Sequence, residues 1–248
     1  MGKFYYDLHM HSSLSPCAEN EMTPATVAGM AALNGLHIAA LTDHNSAGNL
    51  PAFFAACRAY GVVPVAGMEL ETAESVHLVC LFPTLEGATA CWQTVKNNYM
   101  MPVKNKPAIF GEQFYMNAED EVIGIEETLL ITSTLLPLAD GANLARSFGG
   151  VVFPAHIDRA ANGILEILGD IPPEPGFTAA EFNDAANIAP YRARFASVEP
   201  LRLLVNSDAH RLASMQGAEA DGANFLMLDA DAGDEDAVRR ALFAALGG

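Results

Sequence analysis

Residues 4–11 read Phe4-Tyr5-Tyr6-Asp7-Leu8-His9-Met10-His11. Side chains two apart share one face of a strand, so Asp7, His9 and His11 point one way while Leu8 and Met10 point the other. The stretch is therefore expected to be a strand with one apolar face, whose end carries two imidazoles and an acid. Taken alone, such a pattern also suits a solvated strand edge. Its meaning depends on what the rest of the chain places beside it.

Working outward, strand-like runs fall near 37–42, 62–69, 76–82, 150–155, 178–183, 202–207 and 224–228, with the first near 4–9. Helix-like stretches lie between several of them. Their starts are marked by Thr23 with Pro24, Asn49 with Pro51, and Asp234 with Glu235. Gly35 and Gly61 mark the ends of the first two helices. This alternation predicts an α/β fold with a mainly parallel sheet. It is broken twice. Glu69 and His77 are joined by too few residues for a helix, which predicts an irregular barrel. Residues 99–136 are punctuated by Pro, Gly and Asn, and read as an inserted hairpin or lid-like segment within a single 1–248 domain, with closure over a site and inert surface elaboration both open.

The chain has 248 residues, 51% hydrophobic and 17% charged, which excludes intrinsic disorder. No apolar run reaches the roughly 20 residues of a membrane span. The N-terminal MGKFYYDLHMH lacks the pattern of a signal peptide, so a cytoplasmic location without membrane partners is expected. The four cysteines, Cys17, Cys57, Cys80 and Cys91, form no CxxC pair and are expected as reduced thiols, mostly buried. A formal charge of −17 opposes attraction to a phosphate backbone, so a long nucleic acid is an unlikely partner.

Beyond the first strand, Thr42-Asp43-His44, Gly67-Met68-Glu69, Ala155-His156 and Ser207-Asp208-Ala209-His210 close further predicted strands, and His77 opens another. In a parallel barrel such ends form one rim, where residues distant in sequence meet. His37 lies inside an apolar run and is expected to be a hydrogen-bonded core or helix-flanking residue. Eight imidazole and carboxylate donors are too many for one ion. They point to two or three divalent ions, Mn, Fe or Zn, since mixed nitrogen and oxygen ligands suit these metals.

As a set, Asp7-Leu8-His9-Met10-His11-Ser12, Thr42-Asp43-His44, Gly67-Met68-Glu69, Val76-His77-Leu78, Ala155-His156 and Ser207-Asp208-Ala209-His210 resemble the motifs of the PHP family, the polymerase and histidinol phosphatase superfamily of metal-dependent phosphoesterases. The resemblance spans nearly the whole chain apart from 99–136. It implies a distorted (β/α)7 TIM-like barrel. One metal would be held by His9, His11, Glu69 and Asp208, a second by Glu69, His77 and His156, and a third by His44 and His210. Asp43 and Asp7 would support the ligands, Asp43 also as a proton carrier. Where the family supplies an Asp or His soon after the HxH motif, this chain has Pro16 and Cys17, so Cys17 is the candidate for the remaining ligand.

The expected activity is hydrolysis of a phosphate ester, on a small phosphomonoester or nucleotide phosphate, by attack of a metal-bound hydroxide. Arg159 and Arg211, just beyond strand ends, are candidates to grip the phosphate. Lys104 and Lys106 read as a solvated loop. Two rival readings are a noncatalytic metal-binding regulatory module and a hydrolase of carbon–nitrogen bonds of the amidohydrolase type. The open rim of donors disfavours the first, and the His beside Asp208 disfavours the second.

Overall fold

The computed structural model describes residues 1–218 and 224–247. In chain order the elements are β1 (Gly2–Asp7), α1 (Pro24–Leu33), β2 (Ile38–Leu41), α2 (Leu50–Tyr60), β3 (Val63–Glu71), β4 (His77–Phe82) and α3 (Leu85–Asn98). Next come α4 (Pro107–Phe110), β5 (Phe114–Met116), β6 (Val122–Ile125), α5 (Leu138–Ser147), β7 (Val151–Pro154) and α6 (Ile164–Leu168). The chain ends with β8 (Ala179–Phe182), α7 (Ile188–Arg194), β9 (Arg202–Val205), β10 (Phe225–Leu228) and α8 (Glu235–Leu246). No helix among the described residues is long and apolar enough to cross a membrane.

Six strands form one curled sheet in the order β10-β1-β2-β3-β4-β7, and β8 pairs with β9 separately. The isolated parallel bridge between Met10 and Ala209, and the bond from the His11 N–H to the Ala209 carbonyl at 3.0 Å, bring the chain after β9 back against the chain after β1. The Ile157 N–H likewise donates to the Glu181 carbonyl at 2.8 Å, joining the end of β7 to β8. The result is the expected distorted TIM-like barrel.

The expectation of a mainly parallel sheet needs correction. The pairs β1–β2, β2–β3 and β8–β9 are parallel, whereas β3–β4, β4–β7 and β1–β10 are antiparallel. For the two pairs made by β4 the cause is the tight turn after Glu71. Thr72 N–H donates to the Val76 carbonyl at 2.9 Å and Ser75 N–H to the Thr72 carbonyl at 2.9 Å. A link this short can only reverse the chain. That reversal brings the start of β4 to the rim where the parallel strands end.

Alternation divides the sheet between two apolar layers. Ile38 and Ala40 of β2, with Tyr6, Leu8, Val65, Val79, Leu81 and Phe153, fill the barrel interior beside Val238, Leu242 and Leu246 of α8. Ala39 and Leu41, with Met68, Leu78 and Cys80, face outward against Val27 of α1, Phe53 and Cys57 of α2, and Ala142 and Ala145 of α5. The Arg239 side chain of α8 donates to the Pro64 carbonyl near the start of β3, so α8 covers the end of the barrel opposite the rim. Cys57, Cys80 and Cys91 are buried free thiols and Cys17 is exposed.

Helix starts follow the sequence signals with one telling exception. The side chain of Thr23 caps α1 and that of Asp234 caps α8. Asn49 occupies the corresponding position of α2 but makes no cap bond. Its amide is engaged elsewhere.

Candidate metal centre

Most ligand candidates lie just past strand ends, so the barrel itself assembles them. His9 and His11 follow β1, His44 follows β2, His156 follows β7, and Asp208 and His210 follow β9; Glu69 lies within β3 and His77 opens β4. Asn45, His156 and Asp208 have φ of 47°, 30° and 50°. Left-handed backbone is unfavourable for such residues, at a cost of about 1–3 kcal/mol each, and it concentrates where function demands it.

The donors converge on Glu69, which is fully buried. Its Oε1 lies 2.8 Å from His77 Nδ1, 3.1 Å from His156 Nε2 and 3.2 Å from His9 Nε2. Its Oε2 lies 2.8 Å from His44 Nδ1 and 3.5 Å from His11 Nε2. Asp208 Oδ1 lies 3.1 Å from His11 Nε2, 3.3 Å from His9 Nε2 and 3.6 Å from His210 Nδ1. Three overlapping donor sets have all their ligand atoms within 4.8 Å of one another: His9, His11, Glu69 and Asp208; His44, Glu69 and His77; and His11, His44 and His210. Cys17 is in none of them. Its thiol nevertheless senses His44 and His210: desolvation opposes ionisation, but these imidazoles outweigh it and bring the thiol down to about 6.

The centre fits divalent metals on its own chemistry. His9 Nδ1 lies 2.9 and 3.0 Å from the two oxygens of Glu181, and His11 Nδ1 lies 3.0 Å from Ser15 Oγ. With both Nδ1–H groups donated outward, the Nε2 atoms, 3.2 Å apart, turn toward the same space and require a cation or a proton between them. His44 Nδ1 and Glu69 Oε2 are buried and close but form no hydrogen bond, and His156 Nδ1 is also unpartnered. Buried polar atoms left in this way are costly unless something satisfies them.

Electrostatics agree with this reading. Burial disfavours charge on His9, but Glu181, Glu69 and Asp208 outweigh it and hold the imidazole well above its usual pKa. Burial, with His210 and His44 alongside, holds His11 well below its usual value. Burial of Glu69 is overcome by His77, His9 and His44, and it stays ionised. Asp208 stays ionised despite burial through His9 and His11.

The remaining candidates separate clearly. Asp43 is buried and saturated, accepting from Ser12 N–H at 2.7 Å, Ser12 Oγ at 2.6 Å and Ser15 Oγ at 2.7 Å, so it faces the serines and not the donor cluster. Arg159 is half exposed and paired with Asp208, at the edge of the centre. Arg211 is not brought to it: the side chain is 69% exposed and lies 3.3 Å from Glu19. His37 is exposed, accepting from Tyr5 N–H at 3.0 Å. It is hydrogen-bonded as expected but outside the core. Lys104, near Glu127, is exposed, as is Lys106.

Sequence reading missed Glu181. Besides orienting His9, it accepts from the His156 N–H at 3.0 Å and from Asn206 Nδ2 at 2.7 Å. The available signal was an acid inside the otherwise apolar strand Ala179-Ala180-Glu181-Phe182. Glu71 was missed too. It lies 3.6 Å from His77 Nε2 and accepts from Ser133 Oγ at 2.8 Å.

Comparison with known proteins adds to this geometry. The family profile described as PHP domain matches residues 7–169. No curated protein matches by sequence. Among solved structures, the lesion-specific endonuclease PfuEndoQ from Pyrococcus furiosus aligns with a TM-score of 0.59 at 20% identity, over 85% of this chain and 49% of its own. This chain thus spans about half the length of that endonuclease. A protein from Bifidobacterium adolescentis assigned as a metal-dependent phosphoesterase aligns with a TM-score of 0.56 at 17% identity, over 96% of this chain and 95% of its own. An amidohydrolase from Chromobacterium violaceum, solved with sulfate and no metal, aligns with a TM-score of 0.56 at 18% identity, over 90% and 91%. At these identities the likeness is one of fold. Because an endonuclease shares the fold, the expectation from net charge that long nucleic acid is an unlikely partner is not supported.

Proposed function

The chain belongs to the PHP domain family of metal-dependent hydrolases, and from that premise we propose that it cleaves phosphate esters, with a small phosphomonoester or nucleotide phosphate as substrate. The observation that carries this reading is the convergence of His9, His11, His44, His77 and His156 on the buried Glu69, with Asp208 and His210 completing the overlapping donor sets and the Arg159 cation at the edge. The ligands would be His9, His11, Glu69 and Asp208 for one ion, and Glu69 with His77 and His156 for another. His44 and His210 would serve a third, with Cys17 the candidate for its remaining ligand because its thiol lies close enough to feel both imidazoles. Divalent ions held there supply Lewis acidity toward phosphoryl oxygens and neutralise charge that develops in the transition state.

The chain's own residues supply orientation and selectivity. Glu181 fixes His9 so that Nε2 faces inward. Asp208 offers one oxygen to the imidazoles and the other to Arg159, holding that guanidinium where an anion would arrive. Arg159 also lines a cavity of about 180 Å³ with Asp158, Glu166, Tyr191, Arg194 and Phe195, a recess of mixed charge beside this guanidinium. Asp43 acts through Ser12 and Ser15 and not on substrate.

The test is a substrate panel run with Mn²⁺, Zn²⁺ and Fe²⁺ in turn: phosphomonoesters, phosphodiesters, abasic and intact DNA, and amides. Metal-dependent release of phosphate from a monoester supports the proposal. Turnover of amides alone rejects phosphate-ester hydrolysis, whereas turnover of DNA alone keeps that chemistry and rejects the small substrate.

A further inference from the structure

Residues 99–136 lie against the loops that carry the ligands, and the contact is made through buried hydrogen bonds. Asn49, fully buried, donates from Nδ2 to the Phe114 carbonyl of β5 at 3.0 Å and accepts the Met116 N–H on Oδ1 at 2.9 Å. The same Nδ2 donates to Ser12 Oγ at 3.0 Å. The side chain therefore commits both amide hydrogens to the hairpin and the serine and turns its oxygen to the hairpin, away from the first turn of α2, which it leaves uncapped.

From Ser12 the network has only one direction. Asp43 is an acceptor, so the Ser12 and Ser15 hydroxyls both donate to it. The Ser15 oxygen is then left to accept, from the His44 N–H at 3.1 Å and from His11 Nδ1 at 3.0 Å. His11 must carry its proton on Nδ1, and its Nε2 lone pair is turned toward Asp208 and Glu69. A second link lies beside His44. Asn45 donates to the Leu130 and Thr132 carbonyls at 2.8 and 3.0 Å and accepts the Glu71 N–H at 2.9 Å.

We infer that the 99–136 segment is a fixed collar that positions the metal ligands, and that Asn49 is the positioning residue through which β5 sets the orientation of His11 and His44. The collar is held from its outer side as well, where Glu126 accepts from Lys96 Nζ at 2.5 Å and from Tyr115 OH at 2.6 Å. The inference rests on the metal centre proposed above but not on the identity of the substrate. Linkage makes it reciprocal: if the collar tightens the metal site, metal must tighten the collar.

The experiment follows Mn²⁺ binding by calorimetry and backbone amide exchange at residues 113–116, in the wild-type chain and in Asn49→Ala, with urea unfolding to confirm that the variant is folded. The expected result is that Mn²⁺ slows exchange at Phe114 and Met116 in the wild type. In Asn49→Ala that protection is lost and affinity falls about 10- to 100-fold, as for other residues that orient metal ligands. Wild-type chain that binds Mn²⁺ with unchanged exchange at 113–116 overturns the inference without needing the variant. Wild-type affinity in a folded Asn49→Ala overturns it equally. A wild-type chain that takes up none of Mn²⁺, Zn²⁺ and Fe²⁺ overturns the metal centre and the collar together, whereas a silent phosphoester panel with the coupling intact rejects only the substrate reading.

Discussion

His9 shows how much one buried acid decides. Both oxygens of Glu181 face its Nδ1, so the ring's other nitrogen is committed to the cluster. Glu181→Gln keeps the shape but replaces one oxygen with an amide group that cannot accept. Its expected effect is a loss of about 10- to 100-fold in metal affinity, measured by calorimetry at fixed pH. An unchanged affinity would show that Glu181 is merely a satisfied core acid. Protons compete for the same lone pairs. In the metal-free chain His9 and His44 are held well above their usual pKa, and both must be neutral to ligate, so metal binding expels protons. Apparent Mn²⁺ affinity should therefore rise with pH through neutrality and fall as the solution is acidified. Calorimetry in buffers of different ionisation enthalpy reads the protons released, and zero release would contradict the assignment of these imidazoles. The two arginines separate by the same local argument. Arg159→Ala should lower kcat/KM on the phosphoester that the panel identifies, while Arg211→Ala, exposed and paired with Glu19, should leave it within about twofold, as is usual for surface ion pairs.

At the scale of elements, the collar meets the barrel at a close approach. A Cβ on Gly48 would lie 2.2 Å from Cε1 of Tyr115, and that ring cannot swing aside without breaking its bond to Glu126. Gly48→Ala is expected to destabilise the chain by about 1–3 kcal/mol, the usual range for overpacking, read by urea unfolding. Limited proteolysis should at the same time open 99–136 before the barrel. Which elements could be foreseen follows from how local their causes are. The strands declared themselves through apolar runs and alternation, and the reversal into β4 through the short polar link before His77. The rim could be reasoned because strand ends must gather, and six histidines fall at them. The antiparallel seat of β7 beside β4 could not, since sheet neighbours depend on the whole topology. Asn49 and Ser15 were equally hidden: an Asn before Leu50 and Pro51 reads as a helix cap, and only the position of β5, far along the chain, reveals its other use. Glu181 gave a signal without a meaning, because an acid inside an apolar strand identifies no partner until the barrel closes.

At the scale of the whole molecule, two kinds of cohesion coexist, and removing the metal separates them. The apolar layers on the two faces of the sheet, anchored by residues such as Phe53, Phe82 and Phe153, do not involve the ligands, so the metal-free chain should stay folded. The rim is different, because Glu69, Asp208 and Glu181 are packed with imidazoles that need either protons or metal. An ion that binds only the folded chain adds RT ln(1 + [L]/Kd), about 2.7 kcal/mol when it is present at a hundredfold its Kd. For a chain of this length each kcal/mol is worth about 2–4 °C in Tm, so saturating Mn²⁺ should raise the melting temperature of chelator-treated protein by about 5–11 °C per tightly held ion. Far-UV circular dichroism at 25 °C should scarcely change between the two states. His156→Ala removes one ligand of the Glu69 cluster and should forfeit part of that increment. A melting temperature indifferent to chelator and to Mn²⁺ would mean that the gathered imidazoles and acids hold no ion. Loss of secondary structure on chelation would instead mean that the metal builds the barrel rather than occupying a site the apolar layers have already formed.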